Sequence, residues 1–211
     1  MTPSKMPPEA IVYVVDDDEA ARDSLAFLLR TAGFEVRTYA AAASFLAEFA
    51  ILPPGCLITD MRMPGMDGLD LLRELQRQDS AMPAIVITGH GDIPLAVEAM
   101  KLGATDFLEK PFDDTALLTA VGNGLRNRRE RSRQDEQRSS VQRRLESLSA
   151  RERQVLDGLI SGHPNKIIAY DLGISIRTIE IYRANVMTKM QAGSLSELIR
   201  MTLGSDIKRS A

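Results

Sequence analysis

The chain has 211 residues, 44% hydrophobic and 26% charged, with a formal net charge of -3, a composition that excludes wholesale disorder. Its single cysteine, Cys56, excludes a disulfide framework and a cysteine-rich zinc site and suits a reducing compartment. No apolar run approaches the ~18–20 residues of a membrane span and the first ten residues lack a signal-peptide core, so a cytoplasmic protein with no membrane partner is expected.

In chain order, Ile11–Val15 is a short β-branched run, followed by helical spacing of Leu25, Leu28 and Leu29 over 19–32, with Gly33 as a stop. Strand–helix pairs then repeat at 35–39 with 41–49, 56–59 with 69–75, 84–88 with 94–102, and 105–108 with a helix from about residue 113. Five strands alternating with five helices in about 120 residues predict an α/β, doubly wound parallel sheet. Right-handed crossovers then place ligands beyond the carboxyl ends of the strands.

Residues 126–140 contain no apolar residue and no Gly or Pro, which predicts a charged, helical linker. Beyond it the signals are all-α. Leu148, Val155, Leu156, Leu159 and Ile160 mark one amphipathic helix ended by Gly162, and 165–172 is a second, stopped by Gly173. Residues 178–190 form a third, and Ser194 caps a fourth running to Leu203. Only Gly173-Ile174-Ser175-Ile176 separates the second from the third, the spacing of a helix-turn-helix. The expected organisation is a first domain over 1–124, a linker over 125–146 and a four-helix domain over 147–211.

Charge is divided along the same line. Residues 1–124 hold 9 basic and 19 acidic side chains, and residues 125–211 hold 17 and 10. An acidic half joined to a basic half predicts two domains with different partners, the basic one facing a polyanion.

Asp16, Asp17 and Asp18 follow the first strand, Asp60 the third and Lys110 the fifth, while Thr88 ends the fourth. In a parallel sheet these ends share one edge. Converging carboxylates repel, and a hard divalent cation such as Mg²⁺ relieves that repulsion with oxygen ligands and water. A carboxylate also acts as a nucleophile towards phosphorus, forming an acyl phosphate. A hydroxyl and an ammonium suit the phosphoryl oxygens. Asp18 is expected to cap the first helix rather than bind metal.

The segments Val14-Val15-Asp16-Asp17, Asp60-Met61-Arg62-Met63-Pro64-Gly65-Met66-Asp67-Gly68, Ile87-Thr88-Gly89 and Glu109-Lys110-Pro111-Phe112 resemble the receiver domain of bacterial response regulators. The resemblance implies that Asp60 is the phospho-acceptor and that Asp16, Asp17, Asp60 and the backbone carbonyl of Arg62 serve Mg²⁺. It further implies that Thr88 is the switch hydroxyl, Lys110 the phosphate-binding ammonium and Phe107 the rotating aromatic. The surface near 94–101 and 105–108 would then be the face of a phosphorylation-dependent homodimer.

The C-terminal segments Leu148-Ser149-Ala150-Arg151-Glu152-Arg153-Gln154-Val155-Leu156, Asn165-Lys166-Ile167-Ile168-Ala169 and Ser175-Ile176-Arg177-Thr178-Ile179-Glu180 resemble the LuxR-type helix-turn-helix family. Taken together the chain is similar to FixJ-type response regulators, with Tyr182 standing where the family usually carries His. A recognition helix presents one face to the major groove, and Arg177, Glu180, Ile181 and Ala184 lie at i, i+3, i+4 and i+7. Thr178 is grouped with them, and Lys166, Arg183 and Lys189 are candidate phosphate contacts. Glu152 is expected to buttress the helices through a salt bridge. The implied function is a transcription factor, not an enzyme, with a sensor histidine kinase, promoter DNA and RNA polymerase as partners. The alternative is a phosphorelay module whose basic half binds protein.

Overall fold

Strand β1 (Ile11–Val15) is buried along its whole length, as apolar β-branched residues at the centre of a parallel sheet must be. β2 (Glu35–Tyr39) is an edge strand, with Val36 and Tyr39 buried and Glu35, Arg37 and Thr38 exposed. β3 (Gly55–Asp60) and β4 (Ala84–Thr88) are again buried runs, and β5 (Asp106–Glu109) is the opposite edge. All pairings are parallel and the strand order is β2-β1-β3-β4-β5. The computed structural model describes residues 11–89 and 93–203, and the chain divides after Glu130 into two compact units.

Five helices cover the sheet: α1 (Glu19–Thr31), α2 (Ala42–Glu48), α3 (Gly68–Arg77), α4 (Ile93–Lys101) and the start of α5 (Asp114–Glu146). On one face Val12, Val14, Ile58, Ile85 and Ile87 pack with Leu25 and Leu29 of α1 and Leu117 and Val121 of α5. On the other, Tyr13, Val15, Leu57 and Val86 meet Phe45 of α2 and Leu71, Leu72 and Leu75 of α3. Each such aliphatic side chain contributes about 1.5–3 kcal/mol on burial. Cys56 lies wholly inside, and burial pushes its thiol up to about 12.

The expected helical linker is part of α5, one helix of 33 residues and roughly 50 Å. Residues 129–139 are all exposed, and the stretch ends inside a second core, where Leu145 is buried and Val141 half-buried. That core is made by α6 (Ala150–Ile160), α7 (Asn165–Leu172), α8 (Ile176–Met190) and α9 (Leu195–Leu203) around Val155, Leu156, Ile168, Ile179, Val186 and Leu198. A Cβ on Gly158 would stand 2.8 Å from the Ile168 side chain, so α6 and α7 approach closely there and a larger residue would make Ile168 shift. Helix α8 starts two residues earlier than its periodicity suggests, because the Ser175 hydroxyl accepts the Thr178 N–H and caps it there. Among the described residues, no helix is long and apolar enough to cross a membrane.

Candidate functional site

The sheet reverses its winding between β1 and β3, the place where open α/β sheets bind ligands. Val15 pairs with Thr59 there, so the next residues, Asp16 and Asp60, leave neighbouring strands together. Thr88 pairs with Glu109, and the Lys110 N–H donates to the Thr88 carbonyl at 2.7 Å, which brings β5 to the same edge. Lys110 Nζ closes the group, 2.7 Å from Asp60 Oδ1 and 3.2 Å from Asp16 Oδ2.

The remaining carboxylate oxygens are also held. Asp16 Oδ1 accepts the Asp18 N–H at 2.9 Å, and Asp60 Oδ2 accepts the Arg62 N–H at 2.7 Å. Burial raises the carboxyl of Asp16 above its ordinary range, against the pull of the Asp18 N–H and of Lys110. Burial pulls the Lys110 ammonium down, but the Asp60 hydrogen bond and the Asp16 charge together lift it above its usual value. Lys110 therefore stays a cation between two carboxylates.

The structure sorts the sequence candidates. Asp16, Asp60 and Lys110 converge, and Thr88 is buried at the end of β4. Phe107 sits half-buried on β5, packed against one face of the core. Asp18 caps α1 by accepting the Ala20 and Ala21 N–H groups. Asp17 and Arg62 are exposed. Among the described residues no three acidic, His or Cys side chains form a ready metal cluster. Two carboxylates and a nearby peptide carbonyl are nonetheless a hard oxygen set of the sparse kind that suits Mg²⁺ completed by water. Two supports were not visible in the sequence. Arg22 Nη1 donates to the Asp16 carbonyl at 2.7 Å, and a Cβ on Gly68 would lie 2.5 Å from the Asp60 carbonyl oxygen.

Two surfaces flank this edge. A cavity of about 560 Å³ between α1 and the turn into α5 is lined by Ala21, Ser24, Leu28, Lys110, Pro111 and Phe112 among others, and Phe27 beside it is 74% exposed. On α4, Ile93, Val97 and Met100 are exposed at i, i+4 and i+7, one apolar stripe.

In the helical unit, Arg177, Glu180, Ile181 and Ala184 are exposed along one side of α8, opposite buried Ile179, Val186 and Met190. Asn185 and Thr188 share the exposed side, which sequence spacing alone did not single out. Lys166 is exposed. Thr178 is half-buried with its hydroxyl 2.8 Å from that of Ser175, and Arg183 donates to Asn165 Oδ1 at 3.3 Å. Lys189 is committed within the fold: its Nζ meets Glu152 Oε2 at 2.7 Å and the Ser147 carbonyl at 3.2 Å.

Glu152 is buried and is the partner expected to buttress the helices. The Lys189 hydrogen bond and the Ser149 N–H hold its carboxyl below the usual glutamate value of 4.5. A carboxyl lowered in this way stabilises the fold at neutral pH, and the contribution fades as pH falls through the folded value. Glu152→Gln should cost on the order of 2 kcal/mol at pH 7, part of the penalty for breaking a buried pair because Lys189 keeps contact with water. The cost should shrink on acidification below about pH 4.5, which thermal unfolding of the chain at several pH values would show.

Comparison with known proteins places these features. Residues 12–122 match the response regulator receiver domain and residues 146–202 the luxR family of bacterial regulatory proteins. The chain is 58% identical over 198 residues to the transcriptional regulatory protein FixJ of Azorhizobium caulinodans, covering 94% of each. Among solved structures it resembles full-length FixJ from B. japonicum at 51% identity and a TM-score of 0.61, covering 94% of this chain and 98% of that one. It resembles the response regulator StyR at 44% identity and a TM-score of 0.83, covering 92% and 98%.

Proposed function

The chain belongs to the FixJ-type response regulators and controls transcription as the output member of a two-component system, and from that premise we propose that Asp60 is its phospho-acceptor. The observation that carries this is the Asp16–Lys110–Asp60 group at the reversal of the sheet. One Asp60 oxygen attacks the phosphorus of a kinase phosphohistidine; the P–N bond breaks, an acyl phosphate forms and the imidazole leaves. Asp16, Asp17, Asp60 and the Arg62 carbonyl would hold Mg²⁺, which neutralises charge on the phosphoryl group. Lys110 already stands at Asp60 Oδ1, where it would pair with a phosphoryl oxygen. The chemistry modifies the chain's own side chain once per signal, which is a switch rather than an enzyme's turnover.

The cavity beside Lys110, with exposed Phe27 at its margin, supports docking of a helical histidine kinase next to the acceptor. The acyl phosphate would draw the Thr88 hydroxyl and let Phe107 follow, biasing the surface of α4 and β5. The stripe Ile93, Val97 and Met100 would then be covered by a second copy. Two copies place two α8 helices on two half-sites of promoter DNA and couple their binding. Arg177, Thr178, Glu180, Ile181 and Ala184 would face bases, and Lys166 and Arg183 phosphates. Lys189 serves Glu152 first and would reach DNA only through its exposed side. RNA polymerase is the further partner of such a promoter-bound dimer, and the cytoplasm is where that DNA lies.

Incubation with Mg²⁺ and a small phosphodonor should add one hydroxylamine-labile phosphoryl group to the peptide carrying Asp60. Sedimentation should shift to a dimer, and binding to selected promoter fragments should tighten. Phosphate on another residue, or DNA binding indifferent to the phosphodonor, would remove the reading.

A further inference from the structure

Helix α8 has one buried and one exposed side, and some of the polar groups along it are already occupied. Ser175 caps it and Thr178 bonds that cap, Arg183 turns to Asn165, and Lys189 turns to Glu152. Asn185, like Arg177, Glu180 and Thr188 on the exposed side, is not held in this way. It is exposed in the interior of a 15-residue helix, away from either end, and among the described residues its carboxamide has no hydrogen-bond partner. Asparagine is a poorer helix former than alanine, and here no capping role offsets that cost. Its neighbour Ala184 carries only a methyl group, so the helix surface between Ile181 and Asn185 is low and lets the backbone bed close to whatever it faces.

Ile181 and Asn185 are four residues apart, about 6 Å along the helix, close to two base-pair steps of ~3.4 Å. A carboxamide presents an acceptor and a donor side by side, the complement of adenine N6 and N7 in the major groove, and an isoleucine complements a thymine methyl. We propose that Asn185 is a base-reading residue that selects one adenine per half-site, within two base pairs of the thymine met by Ile181. The assignment rests on α8 being the groove-bound helix of the proposed function.

The test uses the full chain, treated with phosphodonor, and sites selected from random duplexes. The wild-type chain should demand adenine at one position of each half-site. Asn185→Ala should lose roughly 5- to 100-fold of discrimination at that position alone and keep its other preferences. Replacing that adenine with 7-deazaadenine should weaken the wild type by a similar factor and leave Asn185→Ala unaffected. An equal loss on every sequence, with no position singled out, would assign Asn185 to a phosphate and overturn the proposal. So would an unchanged preference. A wild-type chain with no sequence preference at all would instead remove the reading of α8 as the groove helix, and this assignment with it.

Discussion

An Asp60→Asn chain is expected to lose every response to phosphodonor while keeping its fold. The amide has the shape of the carboxyl but lacks the anionic oxygen that attacks phosphorus, so no acyl phosphate forms. Dimerisation driven by phosphorylation should vanish, and with it the gain from two coupled half-sites, about 100-fold or more in apparent DNA affinity. The weaker binding of single helical units should persist, because α8 and its core share no residue with the pocket. Stability should change by no more than about 1 kcal/mol, since Lys110 keeps Asp16 as an ion partner at 3.2 Å. Sedimentation, fragment binding and thermal unfolding of the same preparation separate these outcomes. A full dimeric response by Asp60→Asn would move the acceptor elsewhere.

Lys110→Met should act on chemistry and stability together. The methionine fills the volume of the lysine stem but leaves the Asp16 and Asp60 carboxylates facing each other without a cation, Asp16 almost wholly buried. At pH 7 the chain should lose about 2–4 kcal/mol of stability, the cost of stranding buried charge. The Asp16 carboxyl, already raised by burial, should rise further. A raised carboxyl destabilises the fold where it is ionised, so this loss should lessen as the pH falls and the carboxyl takes up its proton. Added Mg²⁺ should restore more stability to the variant than it gives the wild type, since a ligand that binds only the folded state stabilises it. Phosphotransfer should slow by about 10²–10³-fold, the usual cost of removing one oriented partner of a developing oxyanion. A variant that melts like the wild type at every pH would show that Lys110 does not neutralise the pair.

Much of this was legible in the residues themselves. The strands β1, β3 and β4 announce themselves because parallel strands buried on both faces must be apolar and β-branched throughout. Asp18 as a cap follows from local spacing, and the Asp60–Lys110 pocket from strand ends that share an edge. What stayed hidden depends on separation along the chain. Lys189 looks like a free DNA cation until a carboxylate 37 residues earlier claims it. Arg73 of α3 reaches Asp70 and also Glu98 of α4, and no short-range pattern forecasts that bridge. The membership of Asn185 in the exposed side of α8 needs knowledge of which side is buried. Val141 and Leu145 looked like the end of a linker because their core partners lie beyond Ser149 in sequence.

The burial of Cys56 makes the chain convenient to observe as well as closed to thiol chemistry. It is the single cysteine of the sequence, it is wholly inside β3, and its thiol is pushed up to about 12. Nucleophilic attack and oxidation of a cysteine both need an accessible thiolate, so Cys56 offers cellular oxidants no handle. The same inertness means that a cysteine introduced at an exposed position such as Phe27 or Leu203 would be the only one a maleimide dye finds. Fluorescence from such a label could follow the switch in the otherwise native chain, with no cysteine-free background to build first.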